Sequence, residues 1–331
     1  MKKIYPIVFL MAVLSGLQGC SDGDETNGFA GALQLDGAIG TSTRAVINSG
    51  YEADLSVCFA RRDAGAASWQ ELPAVRIGGE GRTPVVFDVP QFYPDAGRTV
   101  NLNGFYPRSG WEGVAQGTPV YTITDGSTDL MATGLLSGEV EPHRLCPDRE
   151  ITGCTFRHLL TQLKFICFSD QPEQWGAVTK IEVEDIYRRQ TFRLQDTNPV
   201  LTPVTTSEVF TVTSIGASGG KSFDLYTGQI GSIPSGWTVQ DSILIPAQEA
   251  GTVRHPLVLY VTTQKGGVGI EKAEGYRHKA ILVVKEAEGA GGVQAGYSHR
   301  VEIAFTNSGL EVVDVSVEPW SSVEIKDPIP L

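Results

Sequence analysis

Short apolar segments that alternate with polar residues run along most of this chain of 331 residues. The sequence also contains 38 glycines and 18 prolines, and no long segment has the 3.6-residue apolar repeat of an amphipathic helix. Alternation places apolar side chains on one face of a strand, and Gly and Pro end strands in turns. The pattern predicts an all-β fold without the βαβ alternation of Rossmann and barrel enzymes.

The first predicted strand covers residues 32–36, where Leu33 and Leu35 share one face. The small residues from Gly37 to Thr43 are expected to end it. Between residues 134 and 152 the apolar content drops, as is typical of a linker between domains. Further strands are predicted at residues 54–60, 84–89, 99–106, 120–124, 162–168, 179–184, 191–194, 207–214, 222–225, 241–246, 255–263, 279–285, 297–305 and 310–317.

The length indicates more than one hydrophobic core, because about 310 residues follow the N-terminal leader described below. The spacing of the strands is typical of antiparallel β-sandwiches. We therefore expect two β-sandwich domains in tandem, at residues 31–145 and 146–320, followed by a C-terminal tail at residues 321–331.

The N-terminus has the layout of a lipoprotein signal peptide. Met1-Lys2-Lys3 is basic, residues 4–17 are largely apolar, and Leu17-Gln18-Gly19-Cys20 places small residues before a cysteine. An ordinary secretory peptide or a membrane anchor fits less well, since the apolar run is shorter than the roughly 20 residues of a spanning helix and contains Pro6. Residues 1–19 are predicted to be removed and Cys20 to carry the lipid.

An acidic segment follows Cys20, and we expect residues 20–30 to form a solvated tether. Its sequence, Ser-Asp-Gly-Asp-Glu-Thr-Asn-Gly from residue 21, resembles the surface-export signal of outer-membrane lipoproteins in Gram-negative bacteria. The predicted location is therefore the outer membrane, with the protein facing outward at the cell surface.

The charge balance argues against nucleic acid as a partner. Removal of residues 1–19 takes away Lys2 and Lys3 and leaves 24 basic against 38 acidic residues, a net charge of −14. Nucleic-acid affinity comes largely from Lys and Arg on phosphates, and the same balance disfavours a polybasic lipid-binding surface.

Four cysteines remain besides Cys20. In an exported protein, Cys146 and Cys154 are close enough in sequence for a local disulfide. His143 and His158 flank this pair with the residue types of a zinc site, but the gap between the cysteines is short for zinc, so no metal is expected. Cys58 and Cys167 fall within strand patterns and are expected to be buried thiols.

No motif indicates catalysis. The chain has no Gly-x-Ser-x-Gly elbow, and His255, His278 and His299 lie in or beside predicted strands without a partnered Ser or Cys. We expect a non-enzymatic protein without a cofactor.

An ordered set of short segments resembles the fimbrillin-like (Mfa-like) lipoproteins that build type V pili. These segments are residues 129–132 (Asp-Leu-Met-Ala), 155–165 (Thr-Phe-Arg-His-Leu-Leu-Thr-Gln-Leu-Lys-Phe), 243–248 (Ile-Leu-Ile-Pro-Ala-Gln), 297–305 (Tyr-Ser-His-Arg-Val-Glu-Ile-Ala-Phe) and 315–320 (Val-Ser-Val-Glu-Pro-Trp).

The resemblance implies two transthyretin-like sandwich domains and assembly by strand exchange. A trypsin-like protease would cut between Arg44 and Ala45, the strand containing Leu33 and Leu35 would leave, and an extended segment of a neighbouring subunit would fill the groove. The partners would be other pilus subunits in a homo- or heteropolymer. In the tail, Val323 and Ile325 alternate with polar residues and are the candidate donor strand. The motif also places His158 in a hydrogen bond within the second domain.

A surface glycan-binding lipoprotein is the alternative, because β-sandwiches often stack sugars on exposed aromatic rings. A host protein or glycan is also a conceivable ligand of an adhesive pilus subunit. The candidate stacking residues are Trp69, Trp111, Trp175 and Trp237.

Overall fold

The computed structural model describes residues 33–39, 51–94, 98–139, 151–206, 208–214, 216, 219–231, 236–247, 251, 255–266, 271–284, 292–307 and 309–319. Strands dominate these ranges, with two short 3-10 turns at Val114–Gln116 and Pro172–Gln174, so the predicted all-β class is confirmed. In the described part of the chain, no helix has the length and hydropathy to cross a membrane.

The strands follow one another along the whole described chain. They are β1 (Leu35–Ile39), β2 (Leu55–Asp63), β3 (Gln70–Arg76), β4 (Thr83–Phe87), β5 (Thr99–Tyr106), β6 (Trp111–Glu112), β7 (Val120–Thr122), β8 (Met131–Ala132), β9 (Leu136–Glu139), β10 (Thr155–His158), β11 (Leu160–Ser169), β12 (Val178–Tyr187), β13 (Arg189–Thr191), β14 (Thr202–Pro203), β15 (Val209–Thr213), β16 (Tyr226–Thr227), β17 (Asp241–Pro246), β18 (Leu257–Lys265), β19 (Glu271–Leu282), β20 (Tyr297–Thr306) and β21 (Gly309–Pro319).

The first sheet closes on itself. Its strand order is β2-β3-β4-β1-β10-β8-β5-β9, and β5 also pairs with β2. The alternating strands turn their apolar faces inward, so the ring encloses a core. This core includes Leu35, Val57, Phe59, Phe87, Val100, Leu102 and Phe156.

The later strands form two sheets that pack face to face. One contains β16, β11, β20 and β21, with β17 also paired to β11, and the other has the order β15-β12-β18-β19. The central strand β11 is buried along its whole length. Side chains from both sheets share one core, which includes Phe165, Ile181, Val183, Ile243, Leu259, Val261 and Ile303.

A small sheet and a third core connect the first sheet to this sandwich. The sheet has the order β14-β13-β7-β6, and thus pairs strands from early and late parts of the chain. The core contains Phe105 from the first sheet, Phe192 from the loop after β13 and Leu244 from β17. The domain limits at residues 145 and 146 stay a prediction, and β10, which follows that limit, pairs within the first sheet.

Two local expectations were wrong. The first strand does not end at Gly37 but continues to Ile39, because β10 supplies partners to Ala38 and Ile39. The expected linker contains β9, which pairs with β5 over four residues. Both errors arise from pairing with distant parts of the chain.

Candidate functional site

β1 is an inner strand of the closed sheet. It pairs antiparallel with β4, with Leu35 opposite Val85, and parallel with β10, with Ile39 opposite Phe156. The main-chain amide of Ala38 donates to the Cys154 carbonyl at 2.8 Å. Both neighbours of β1 come later in the chain. The first strand in the sequence therefore lies between two later strands of the closed sheet.

Two large side chains of β1 and one just before it, Leu33, hold this segment in the core. Leu33, Leu35 and Ile39 are 6%, 4% and 2% exposed, respectively, and belong to the same cluster as Phe59 and Phe156. Gln34 and Asp36 between them point to solvent. Burial of each such apolar side chain contributes about 1.5–3 kcal/mol, so β1 contributes several kcal/mol to the closed sheet.

A buried arginine fixes the middle of β1. Arg76, at the end of β3, is fully buried, and its Nε donates to the Gly37 carbonyl at 3.0 Å. Its Nη2 donates to the carbonyls of Gly79 and Gly81 at 3.0 and 2.9 Å. Burial lowers the pKa of this guanidinium, and the carbonyl dipoles around it compensate for part of the lost hydration.

Gly37 faces the core at a point where there is no space for a side chain. A Cβ atom at residue 37 would lie 2.9 Å from Val85 Cγ2 and 3.7 Å from Arg76 Cδ. Sequence reasoning took Gly37 as a strand breaker, whereas the structure uses it as the inward residue of a strand under which Arg76 passes.

The predicted cleavage and donor positions fall outside the described residues. Arg44 and Ala45 belong to residues 40–50, which connect β1 to the rest of the sheet, while Cys20 precedes the described ranges and Val323 and Ile325 follow them. These assignments stay predictions. Between Cys20 and Arg44, the structure describes one strand, β1.

The three cysteines within the described ranges, Cys58, Cys154 and Cys167, are buried. Cys58 and Cys167 are 1% and 0% exposed, which confirms the prediction for this pair. In the thiol form, burial raises the pKa of Cys58 and of Cys154 to about 12, and burial also raises the pKa of Cys167. Cys146 lies outside the described residues, so its disulfide with Cys154 stays a prediction.

His158 forms a buried polar pair with Asp129. The sequence motif predicted a hydrogen bond for His158 but placed it in the wrong domain. Its Nδ1 lies 2.7 Å from Oδ2 of Asp129, and both side chains are almost completely buried. The expected hydrogen bond is confirmed, but its place was wrong: His158 ends β10 in the first sheet, and Asp129 closely precedes β8. The pair fastens β10, the neighbour of β1, to the loop before β8.

The four tryptophans considered for sugar stacking lie in different environments. Trp69 and Trp175 are buried, at 4% and 6% exposure. Trp111 is half-buried and packs against Phe105, Tyr121 and Phe192. Trp237 is half-buried and stacks on Tyr226 with 4.7 Å between ring centroids. The four rings therefore do not form a shared exposed platform.

These features define an all-β protein whose first described strand is inserted between two later strands of a closed sheet. The model of the fimbrillin-like family matches residues 43–320, and the chain belongs to this family. The match begins after β1, so β1 itself is assigned from the structure.

Solved structures from two Bacteroides species have the same fold. A candidate cell adhesion protein from Bacteroides uniformis is 16% identical with a TM-score of 0.56, and the match covers 88% of this chain and 98% of that one. A second, from Bacteroides ovatus, is 12% identical with a TM-score of 0.53, covering 89% and 99% of the two chains. No curated protein matches the sequence.

Proposed function

We propose that this chain is a structural or adhesive subunit of a cell-surface pilus, exported as a lipoprotein precursor and assembled by protease-triggered strand exchange. Membership of the fimbrillin-like family supports the coarser statement, a pilus or adhesion subunit. The observation that supports the finer statement, strand exchange after proteolysis, is the position of β1. It is an inner strand of the closed sheet, and residues 40–50 are its covalent link to the later strands.

Cleavage between Arg44 and Ala45 would remove the covalent link between β1 and its sheet. β1 would then be held by the hydrogen bonds to β4 and β10, the bond from Arg76, and three buried side chains. Its departure would leave two strand edges facing one slot, and unpaired edges with an apolar floor readily accept another strand. An incoming extended segment can restore both sets of hydrogen bonds at once.

The donor would come from another subunit. In this proposal the tail with Val323 and Ile325 leaves β21, the edge strand of the sandwich, and enters the slot of a neighbour. Such head-to-tail filling is heterologous and does not close, so it produces a filament. The partners are other pilus subunits, and a host protein or glycan is the proposed ligand if the subunit is adhesive.

The lipid on Cys20 would hold the precursor at the outer membrane, facing outward. Acyl chains on one cysteine anchor a protein to a bilayer without a spanning helix. The function proposed for the chain is structural and needs no catalytic residue or cofactor.

The processing step is tested with Arg44→Ala and a matched control, Arg98→Ala, which removes an exposed arginine before β5. Expressed in a host of the Bacteroides group, Arg44→Ala is expected to accumulate as full-length lipoprotein, while Arg98→Ala is processed normally. Normal processing and incorporation of Arg44→Ala into surface polymers would contradict the proposal. If the cleaved form instead stays monomeric and binds polysaccharide, the glycan-binding alternative is favoured.

A further inference from the structure

The slot occupied by β1 has one position that excludes every side chain. Leu33, Leu35 and Ile39 each fill a space in the core, but the inward position between Leu35 and Ile39 is Gly37. A Cβ there would meet Val85 Cγ2 at 2.9 Å, a separation closer than van der Waals contact allows. Val85 is β-branched and stiff, and it is held in register between Arg76 and Leu35.

The same residue is also recognised through its carbonyl. Arg76 Nε donates to the Gly37 oxygen at 3.0 Å, and the arginine side chain lies against the α-carbon side of residue 37, with Cγ and Cδ 3.7 Å from the Cβ position. A strand that shifted outward to make room for a side chain would lengthen this hydrogen bond. Loss of that bond would leave a buried charged donor with fewer partners, which is costly.

Residues 320–331 contain no glycine; their sequence is Trp-Ser-Ser-Val-Glu-Ile-Lys-Asp-Pro-Ile-Pro-Leu. In every register that spans the position of Gly37, and in either direction, this segment therefore places a Cβ at that position. In the register that aligns Val323 with Leu33 and Ile325 with Leu35, the residue at that position is Asp327.

We propose that the β1 slot selects an incoming strand with the pattern apolar-x-apolar-x-Gly-x-apolar and rejects residues 320–331 of a second copy of this chain. The occupant of this slot is then a strand with glycine at this position, and it is not the segment of residues 320–331 from a second copy. This inference rests on the proposed strand exchange, and it adds the sequence requirement of the partner.

The test uses the full mature chain cleaved after Arg44, with β1 still in place, and labelled synthetic peptides that compete for the slot. The reference peptide spans residues 31–43. Variant peptides carry Gly37→Ala or Gly37→Val, a control peptide carries Asp36→Ala at a solvent-facing position, and a further peptide spans residues 320–331. Bound label is measured after separation of protein from free peptide.

The reference and Asp36→Ala peptides are expected to exchange into the protein equally well. Gly37→Val is expected to bind at least about tenfold more weakly, since overpacking of this kind costs more than about 1.4 kcal/mol, and residues 320–331 should not compete. The protein variant Val85→Ala should restore binding of the Gly37→Ala peptide, because it removes the atom that the new Cβ would meet.

The outcomes separate this inference from the proposed function. If the reference peptide binds and Gly37→Val and residues 320–331 bind equally well, strand exchange stands and the glycine requirement is overturned. If no peptide exchanges even though Ala45 is the new N-terminus, refilling of the slot fails, and both the proposed function and this inference are overturned.

Discussion

Arg76 in β3 donates a 3.0 Å hydrogen bond to the carbonyl of Gly37 in β1, although β4 lies between these two strands. The side chain thus passes beneath one strand to reach the next, on the inner face of the closed sheet. The same guanidinium holds the turn at Gly79 and Gly81. The strand proposed to leave is therefore fixed by a residue that remains.

Arg76→Ala is expected to lower the free energy of unfolding of the uncleaved protein by about 2–4 kcal/mol, because it removes the donor to four main-chain carbonyls and opens a cavity. The matched control is Arg82→Ala. Arg82 is exposed and donates one long bond, 3.3 Å, to the carbonyl of Asp36, so its loss should cost less than about 0.5 kcal/mol. Urea denaturation of both variants measures the difference, and equal effects would show that Arg76 is not an anchor of β1.

Leu35→Ala should destabilise the uncleaved protein by about 2–4 kcal/mol, the usual cost of truncating a buried leucine. Gln34→Ala, one residue earlier on the solvent face of the same segment, is the control and should change the stability by less than about 0.5 kcal/mol. After cleavage, the Leu35→Ala strand should also leave the slot faster, which a label on the N-terminal peptide would report. A Leu35 variant as stable as the control would mean that this side chain is not part of the core.

Burial of His299 should make the free energy of unfolding fall at acidic pH. The side chain is 1% exposed, and burial lowers its pKa to about 4, whereas an unfolded histidine titrates near about 6.5. Between these values only the unfolded chain binds the proton, so the free energy of unfolding falls as the pH is lowered from about 6.5 to about 4, by roughly 3 kcal/mol in total.

The measurement is urea unfolding over this pH range for the parent protein and for His299→Gln. Carboxylates and the other histidines contribute to both profiles, so the informative quantity is the difference between them. The variant should lose less stability than the parent on acidification. Parallel profiles would contradict the assignment.

The buried thiols should react with iodoacetamide only after unfolding. Burial raises the pKa of Cys58 to about 12 and raises that of Cys167 as well, so at neutral pH both are protonated and shielded, and the thiolate is the reactive form. Mass spectrometry should find both unmodified in native protein and alkylated in guanidinium chloride. Rapid native alkylation of either would contradict its burial.

The same experiment tests the predicted disulfide. If Cys146 and Cys154 are bridged, neither is alkylated in guanidinium chloride until a reductant is added, and a linked peptide appears in the non-reduced digest. Alkylation of both without reductant would show that the bridge is absent.

The sequence predicted strands well where one face is buried along the whole strand. The expected bounds of β5 and β17, residues 99–106 and 241–246, match the structure, because in both strands pairing and burial extend over the segment that the pattern marks. β3 was missed because Pro73 and the charged Arg76 interrupt the alternation of apolar and polar residues. In the structure, Arg76 is a buried residue on the inner face of this strand.

The candidate site could be predicted only in outline. The alternation of Leu33 and Leu35 indicated a strand before Arg44, but nothing local shows that its neighbours are β4 and β10. The residues opposite Ala38 and Ile39 are Thr155 and Phe156, more than a hundred positions later. The roles of Gly37 and Arg76 follow from that pairing and have no local sequence signal.

The most direct test of strand exchange is a reversible cross-link between β1 and its neighbour. Asp36 lies opposite Pro84, and both side chains face solvent, so Asp36→Cys combined with Pro84→Cys can tie β1 to β4. The control pair, Val75→Cys with Val86→Cys, joins β3 to β4 and leaves β1 free.

After cleavage at Arg44 and confirmation of Ala45 as the new N-terminus, uptake of the labelled peptide of residues 31–43 is measured before and after reduction. We expect no uptake by the oxidised β1–β4 pair, full uptake once it is reduced, and uptake by the control pair in both states; equal uptake by the oxidised β1–β4 pair would contradict strand exchange at this slot.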